Sequence, residues 1–325
     1  MSFVTVIGEG AWGTAMATLL AENDHTVFLW CHDPGVKKDI ETTRCNHRYL
    51  PGIALPNNII PITNINDALA QSSWIFEAIP VKFLRTVLSH VDPTLANQKS
   101  WVILSKGIEK DSLLFPTQLI DELFGKECSK LVLFGPSFAQ ELAQKQITGV
   151  TLATENKALG LELQKLLDNA YFKTFISSDV LGVQIVGALK NVIALAMGML
   201  DGAGYSDNTK AFFLTRGLHE MALFALAFGA QNETVYGLAG LGDLVLTSLG
   251  NLSRNVMVGK RLGRGDTLDI ILRETGAIPE GINTLESMQQ LIIQKDHKVP
   301  ILMGIYDVVF NGLKLHDFVN RLAAL

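Results

Sequence analysis

Lys190 is embedded in Val183-Gln184-Ile185-Val186-Gly187-Ala188-Leu189-Lys190-Asn191-Val192-Ile193-Ala194-Leu195-Ala196, a stretch that is apolar on nearly every helical face. Burial penalises an ammonium ion and lowers a lysine pKa toward neutrality, where the group can exchange a proton with a substrate. At helical spacing Gln184, Gly187, Asn191, Ala194, Gly198 and Asp201 form a stripe of small or polar residues with Lys190 at its edge, and such a stripe leaves room for a ligand. Lys190 is the first candidate for a general acid and base. The structural alternative is a lysine that snorkels to solvent or pairs with an acid.

A second candidate is Asp243, which closes Gly237-Leu238-Ala239-Gly240-Leu241-Gly242-Asp243, with Thr247 one helical turn further on. So glycine-rich a turn brings backbone and carboxylate close to a ligand, although an aspartate there also serves as a plain helix N-cap. Ser253-Arg254-Asn255 precedes the helical run Val256 to Leu262. A serine-capped helix start with an arginine fork suits a phosphate monoester, and equally a solvated surface helix. Lys106 and Ser137, at the ends of two predicted strands, are further donors. Arg216 and Glu220 stand four apart in a helical pattern, the spacing of a structural ion pair.

These side chains need a scaffold, and the chain opens on one. Val4-Thr5-Val6-Ile7 runs into Gly8-Glu9-Gly10-Ala11-Trp12-Gly13 and then the helical stretch Thr14 to Leu20. Strand, glycine turn and helix start in that order suit a dinucleotide, whose pyrophosphate sits at the helix N-terminus. Short apolar runs then alternate with helical patterns: Val4–Ile7, Thr26–Trp30, Trp74–Ile79, Trp101–Leu104, Leu131–Phe134, Gly149–Ala153 and Tyr171–Ile176. The alternation predicts a parallel, doubly wound α/β sheet over residues 1–180. Strand signals stop near Asp179, so residues 181–325 are expected to form an all-α domain carrying substrate-binding and catalytic residues. Leu181 to Leu200 is long enough to span a bilayer, but Gln184, Lys190 and Asn191 near its middle favour a buried helix.

Composition excludes several classes. The 325 residues carry a formal net charge of -5, which offers no basic field for nucleic acid. Cys31, Cys45 and Cys128 are scattered and form no Cys-x-x-Cys pair, which suits a reducing compartment. Adjacent Cys31 and His32 would point to opposite faces of a strand, so no metal site is expected. No Gly-x-Ser-x-Gly elbow appears, and nucleophilic hydrolysis has little support.

With these residues in hand, the chain resembles the bacterial NAD(P)-dependent glycerol-3-phosphate dehydrogenases over nearly its full length. The resemblance rests on Gly8 to Ala15, Ser105-Lys106-Gly107-Ile108-Glu109, Gly135-Pro136-Ser137-Phe138-Ala139, Leu189-Lys190-Asn191-Val192, Asp201-Gly202, Thr215-Arg216-Gly217-Leu218, Gly237 to Leu246 and Ser253-Arg254-Asn255. It implies interconversion of sn-glycerol 3-phosphate and dihydroxyacetone phosphate for phospholipid synthesis, in the cytoplasm and by a homodimer. It also implies Lys190 as the proton acceptor, with Lys106, Gly135, Ser137, Asp243, Ser253, Arg254 and Asn255 around the substrate. Asn191 and Thr247 are further contributors by proximity and by similarity to the wider family. Gly8, Gly10, Ala11, Trp12, Gly13, His32, Lys106, Ala139, Arg254, Ile278 and Glu280 are expected at the dinucleotide.

One departure bears on cofactor choice. The family often has an arginine two residues after a tryptophan at the end of the second strand, whereas this chain reads Trp30-Cys31-His32-Asp33. An acid there hydrogen-bonds the ribose of NAD and an arginine accommodates the 2′-phosphate of NADP, so both cofactors stay open, with a weaker NADP preference than an arginine gives. Two rivals remain: a β-hydroxyacid dehydrogenase of similar architecture, and a regulator that binds the dinucleotide without turnover.

Overall fold

The computed structural model describes residues 2–276, 279–295 and 298–323. The chain divides into two compact units, the first comprising Met1–Ser105 and Phe115–Val180, the second Lys106–Leu114 and Leu181–Leu325. The expected first domain, 1–180, differs from this in one respect: the segment from Lys106 to Leu114 belongs to the helical unit. There Ser287 donates its hydroxyl to the Ile108 carbonyl at 3.2 Å, and Lys110 pairs with Glu286 at 3.0 Å.

The first unit is built on eight strands: β1 (Phe3–Ile7), β2 (Thr26–Trp30), β3 (Ile59–Ile62), β4 (Trp74–Glu77), β5 (Ser100–Ile103), β6 (Ser129–Phe134), β7 (Thr148–Ala153) and β8 (Phe172–Ser177). They stand in the order β3-β2-β1-β4-β5-β6-β7-β8. The order reverses between β1 and β4, so the glycine turn that follows β1 leaves the sheet at its switch point, where open α/β sheets take their ligands. The interior strand β4, Trp-Ile-Phe-Glu, is buried at all four positions, as parallel strands covered on both faces are.

Two features depart from the sequence-based expectation. β3 is absent from the predicted strands because it is short and carries Pro61, which reads as a breaker. It lies at the sheet edge, the position where a proline's missing N–H costs least. The sheet is also mixed, since β7 runs antiparallel to β6 with Leu133 opposite Leu152. β6 ends in the apolar run Leu131–Phe134 and β7 interleaves Thr148 and Thr151 with apolar residues, and neither pattern encodes the direction in which the strand runs.

The helical unit is organised by the helix Val180–Gly202, whose residues 182–200 are all buried. Apolar on nearly every face, it is the core helix of its unit. Part of its small-residue stripe has a different use from the ligand space expected above: a Cβ on Gly198 would stand 2.3 Å from the Val256 carbonyl oxygen, and one on Gly259 would stand 2.1 Å from that of Leu195. The helix Arg254–Gly263 occupies that room, backbone against backbone.

Glu220 is likewise reassigned. Rather than pairing with Arg216, its buried carboxylate accepts the N–H groups of Ile301, at 2.8 Å, and Leu302, at 3.0 Å, and so caps the helix Pro300–Phe310. Burial raises its pKa, and these two donors and, after them, the charge of Arg216 oppose the rise. Removing it leaves buried N–H groups unpaired. Glu220→Ala is expected to cost about 2 kcal/mol and to lower the apparent Tm by about 5 °C in a thermal melt. Glu220→Gln, which keeps one acceptor oxygen, should lose less.

Candidate active site

The helical unit brings four of the predicted residues together. Lys190 projects from the core helix and donates to Asp243 Oδ1 at 2.8 Å and to Thr247 Oγ1 at 2.6 Å. Lys106 donates to the other oxygen of the same carboxylate, Asp243 Oδ2, at 2.6 Å. The Thr247 hydroxyl donates to Asp243 Oδ1 at 3.2 Å, so the acid is held by two ammonium groups and one hydroxyl. Lys190, Asp243 and Thr247 are all buried, while the Lys106 side chain retains 18% exposure.

The backbone explains why Asp243 reaches so far. Leu238–Gly242 forms a π-helical turn, closed by Gly242 N–H on the Gly237 carbonyl at 3.0 Å. Such widened turns are frequent at functional sites. A Cβ on Gly240 would fall 2.0 Å from the Val235 carbonyl oxygen, so the turn needs glycine there. Asp243 then opens the helix Asp243–Leu249, and the N-cap position is Gly242. The carboxylate caps nothing, and its bonds go to the two lysines and Thr247.

Two opposed effects set the protonation of this cluster. Burial pushes the Lys190 ammonium down to about 8 against the pull of Asp243, and the neighbouring Lys106 charge pushes the same way as burial. Burial alone would raise the Asp243 carboxyl, but Lys106 first and then Lys190 outweigh it and hold the acid below its ordinary value. Lys190 is thus poised to give or take a proton near neutral pH.

Beside this cluster Asn255 donates to Asn191 Oδ1 at 3.0 Å and accepts the Gly281 N–H at 3.0 Å. Asn191 and Asn255 therefore lock the start of one helix against Lys190's own and against the start of the helix Glu280–Lys295, on which the predicted Glu280 lies. Gly281 escaped sequence reasoning, because nothing local marks a glycine whose N–H is needed by an asparagine 26 residues away. Ser253 is the N-cap of the Arg254–Gly263 helix, accepting the Val256 N–H at 3.3 Å. Arg254 is exposed at the first helical position and has no hydrogen-bond or ion-pair partner among the described residues. Ile278 lies outside the described residues.

The sheet unit holds the remaining candidates. Gly8 has φ +117°, open to glycine but strained for other residues, and a Cβ on Gly13 would come 1.9 Å from the Gly8 carbonyl oxygen. Gly10, by contrast, has nothing within 4 Å of its Cβ direction, and the helix α1 (Ala11–Glu22) starts after it without a side-chain cap. A tight turn, an open face and uncapped helix N–H groups fit a dinucleotide pyrophosphate. Trp12 and Ala139 both pack on the apolar core of this unit, and Ser137 donates to the Gly135 carbonyl at 2.9 Å.

Three residues of the sheet unit were not anticipated. Buried Asn46 braces the glycine turn by donating to the Glu9 carbonyl and to Thr14 Oγ1, both at 2.8 Å. Glu9 and Glu77 are buried acids whose oxygens serve backbone and hydroxyl donors; Glu77 accepts the Ile79 N–H and the Ser105 hydroxyl, both at 2.6 Å. His32 is exposed with its ring 5.9 Å from that of Trp30, and Asp33 caps the helix α2 (Pro34–Thr43) through the Gly35 N–H and pairs with Arg48 at 2.6 Å.

Comparison with known proteins places both units in one family. The N-terminal part of the NAD-dependent glycerol-3-phosphate dehydrogenases matches residues 3–160 and the C-terminal part matches residues 179–320. The glycerol-3-phosphate dehydrogenase [NAD(P)+] of Bacillus cytotoxicus is 39% identical over 324 residues, covering 99% of this chain and 95% of the relative. The crystal structure of a glycerol-3-phosphate dehydrogenase from Coxiella burnetii superposes with a TM-score of 0.92 at 29% identity, over 98% of each chain. The enzyme from Saccharomyces cerevisiae gives 0.81 at 28% identity, again over 98% of each.

Proposed function

We infer from this geometry how the chain, which belongs to the NAD-dependent glycerol-3-phosphate dehydrogenase family, carries out its reaction: Lys190 moves the proton and Arg254 anchors the phosphate. The enzyme is an NAD(P)-dependent oxidoreductase that interconverts sn-glycerol 3-phosphate and dihydroxyacetone phosphate, which ties it to lipid metabolism. The observation that carries the residue assignment is the buried Lys190 ammonium held at 2.8 Å by Asp243 and at 2.6 Å by Thr247.

The nicotinamide, when bound, supplies or accepts a hydride at substrate C2. Everything else is work for side chains. In the reducing direction the C2 carbonyl oxygen gains negative charge, and the Lys190 ammonium donates a proton to it as the hydroxyl forms. In the oxidising direction the neutral Lys190 amine takes that proton from the hydroxyl. Lys106 and Lys190 flank a single carboxylate, so the cluster carries a net positive charge when both are protonated, and that charge favours the developing alkoxide. Asp243 fixes both amines in place, and Thr247 orients the same carboxylate oxygen that Lys190 uses. Gly8, Gly10, Ala11, Trp12 and Gly13 are the residues that would hold the dinucleotide. Gly135, Ser137, Ser253 and Asn255 complete the proposed substrate contacts, with Ala139, His32 and Glu280 proposed at the dinucleotide.

Arg254 offers, at a helix start, a guanidinium with no partner among the described residues, a geometry suited to a phosphate dianion. Arg254→Ala is expected to raise KM for dihydroxyacetone phosphate by about 10- to 100-fold with a smaller change in kcat, because charge-assisted hydrogen bonds are lost in ground and transition states alike. An unchanged KM removes the phosphate role. The proposal as a whole is tested by following oxidation of NADH or NADPH at 340 nm with dihydroxyacetone phosphate, against 2-oxo acids and a substrate-free control. Turnover only with 2-oxo acids, or cofactor binding without turnover, would overturn it. We further propose a cytoplasmic homodimer, which sedimentation of the purified protein checks.

A further inference from the structure

Glu9 sits between the first two glycines of the turn after β1, where a side chain aimed at the end of β2 meets whatever occupies the adenosine ribose region. It is 7% exposed, and its carboxylate spans the backbone of the β2–α2 turn: Oε2 accepts the His32 N–H at 3.1 Å and Oε1 accepts the Asp33 N–H at 3.0 Å. Its own carbonyl is pinned by Asn46 and by the Thr14 hydroxyl, so the residue is fixed at both ends. No lysine or arginine pairs with this carboxylate among the described residues.

The same corner holds more negative charge. Asp33 uses one oxygen on the Gly35 N–H at 2.7 Å and the other on Arg48 at 2.6 Å. Asp39, close by along the open recess formed with Val36 and Arg48, is engaged by His47 at 2.9 Å. A 2′-phosphate monoester needs backbone N–H groups and unspent cations. Here the two turn amides already serve a protein anion, and the Arg48 guanidinium is already paired with Asp33.

We propose that Glu9 is the specificity-determining residue for the cofactor, acting as a built-in anion that admits the 2′-hydroxyl of NAD and turns away the 2′-phosphate of NADP. This rests on the dinucleotide reading above, and it moves the discriminating charge from the end of β2, where His32 and Asp33 stand, into the glycine turn itself. A ribose hydroxyl can donate to a carboxylate, whereas a phosphate beside it meets like charge across a short distance.

The test is equilibrium binding, independent of turnover. Dissociation constants for NADH and NADPH, measured by nicotinamide fluorescence on the wild-type protein, are expected to differ by about 100-fold in favour of NADH. In Glu9→Gln, which keeps size and one acceptor oxygen, the ratio should narrow by about 10-fold or more, and in Glu9→Ala further still. Equal affinities in the wild type overturn the proposal without any variant, as does a ratio unmoved in Glu9→Gln. Failure of the wild type to bind either dinucleotide would instead overturn the cofactor reading on which it stands.

Discussion

Replacing Lys190 with methionine will lower kcat for dihydroxyacetone phosphate reduction by about 1,000-fold, while the protein still folds and binds NADH. Methionine preserves an unbranched stem in the buried helix and removes only the proton-bearing atom. The variant does not orphan a charge, because Asp243 keeps Lys106 at 2.6 Å and the Thr247 hydroxyl at 3.2 Å. A loss of activity with an unshifted melting temperature and intact NADH fluorescence therefore reports chemistry rather than folding. A near-normal kcat would refute the assignment.

The wild-type pH profile carries the same information with a defined sign. With Lys190 as the proposed proton donor, reduction uses the ammonium form, so its kcat/KM should be level at low pH and fall as pH rises through about 8, the value to which burial brings Lys190. Oxidation of glycerol 3-phosphate consumes the neutral amine and should rise through the same point. Lys190→Met should abolish this limb in both directions. A profile limb that persists at the same pH in Lys190→Met belongs to another group.

What the sequence made legible here was a set of locally unusual residues that the fold gathers into one cluster. A lysine in a stretch apolar on nearly every face and an aspartate behind three glycines are each improbable enough to point at a ligand, and the fold joins them although 53 residues separate them. Strand and helix periods gave the sheet and the helical unit for the same reason, that burial imposes a period on the side chains it covers. The errors share a cause too: they concern partners supplied by distant chain. Glu220 has an arginine at ideal helical spacing, yet it serves two N–H groups 81 and 82 residues on, because only the packed unit presents the start of the Pro300 helix to it. The glycine of the small-residue stripe at position 198 seats a helix rather than a ligand, which spacing alone leaves open. Lys106–Leu114 reads as the loop after a strand, and nothing in its composition says that it belongs with the helices. Glu9 carries no local signal of its own, because the glycines on either side account for the motif.

The partner of Lys190 gives the second large effect. Asp243→Asn is expected to lower kcat/KM by about 100-fold and to move the midpoint of both pH profiles to lower pH. The carboxylate offers acceptors at both ends, Oδ1 to Lys190 and Thr247 and Oδ2 to Lys106. An asparagine keeps the shape but turns one end into a donor, which then faces an ammonium group, so one lysine must leave its place. The charge is lost as well: Asp243 is what opposes the effect of burial on Lys190, and without it burial and Lys106 act together to drive the ammonium further down. Breaking a buried ion pair on one side also destabilises the fold, by about 3 kcal/mol, so the melting temperature should drop by several degrees. Stability loss alone moves no pKa, and an undisturbed positioning role for Asp243 moves neither rate nor midpoint. The joint shift of rate and midpoint is accordingly the signature of a carboxylate that sets the proton affinity of Lys190. An Asp243→Asn enzyme that melts early yet keeps its kcat/KM and its midpoint near pH 8 would reduce the ion pair to a structural contact and leave Lys190 to be tuned by burial alone.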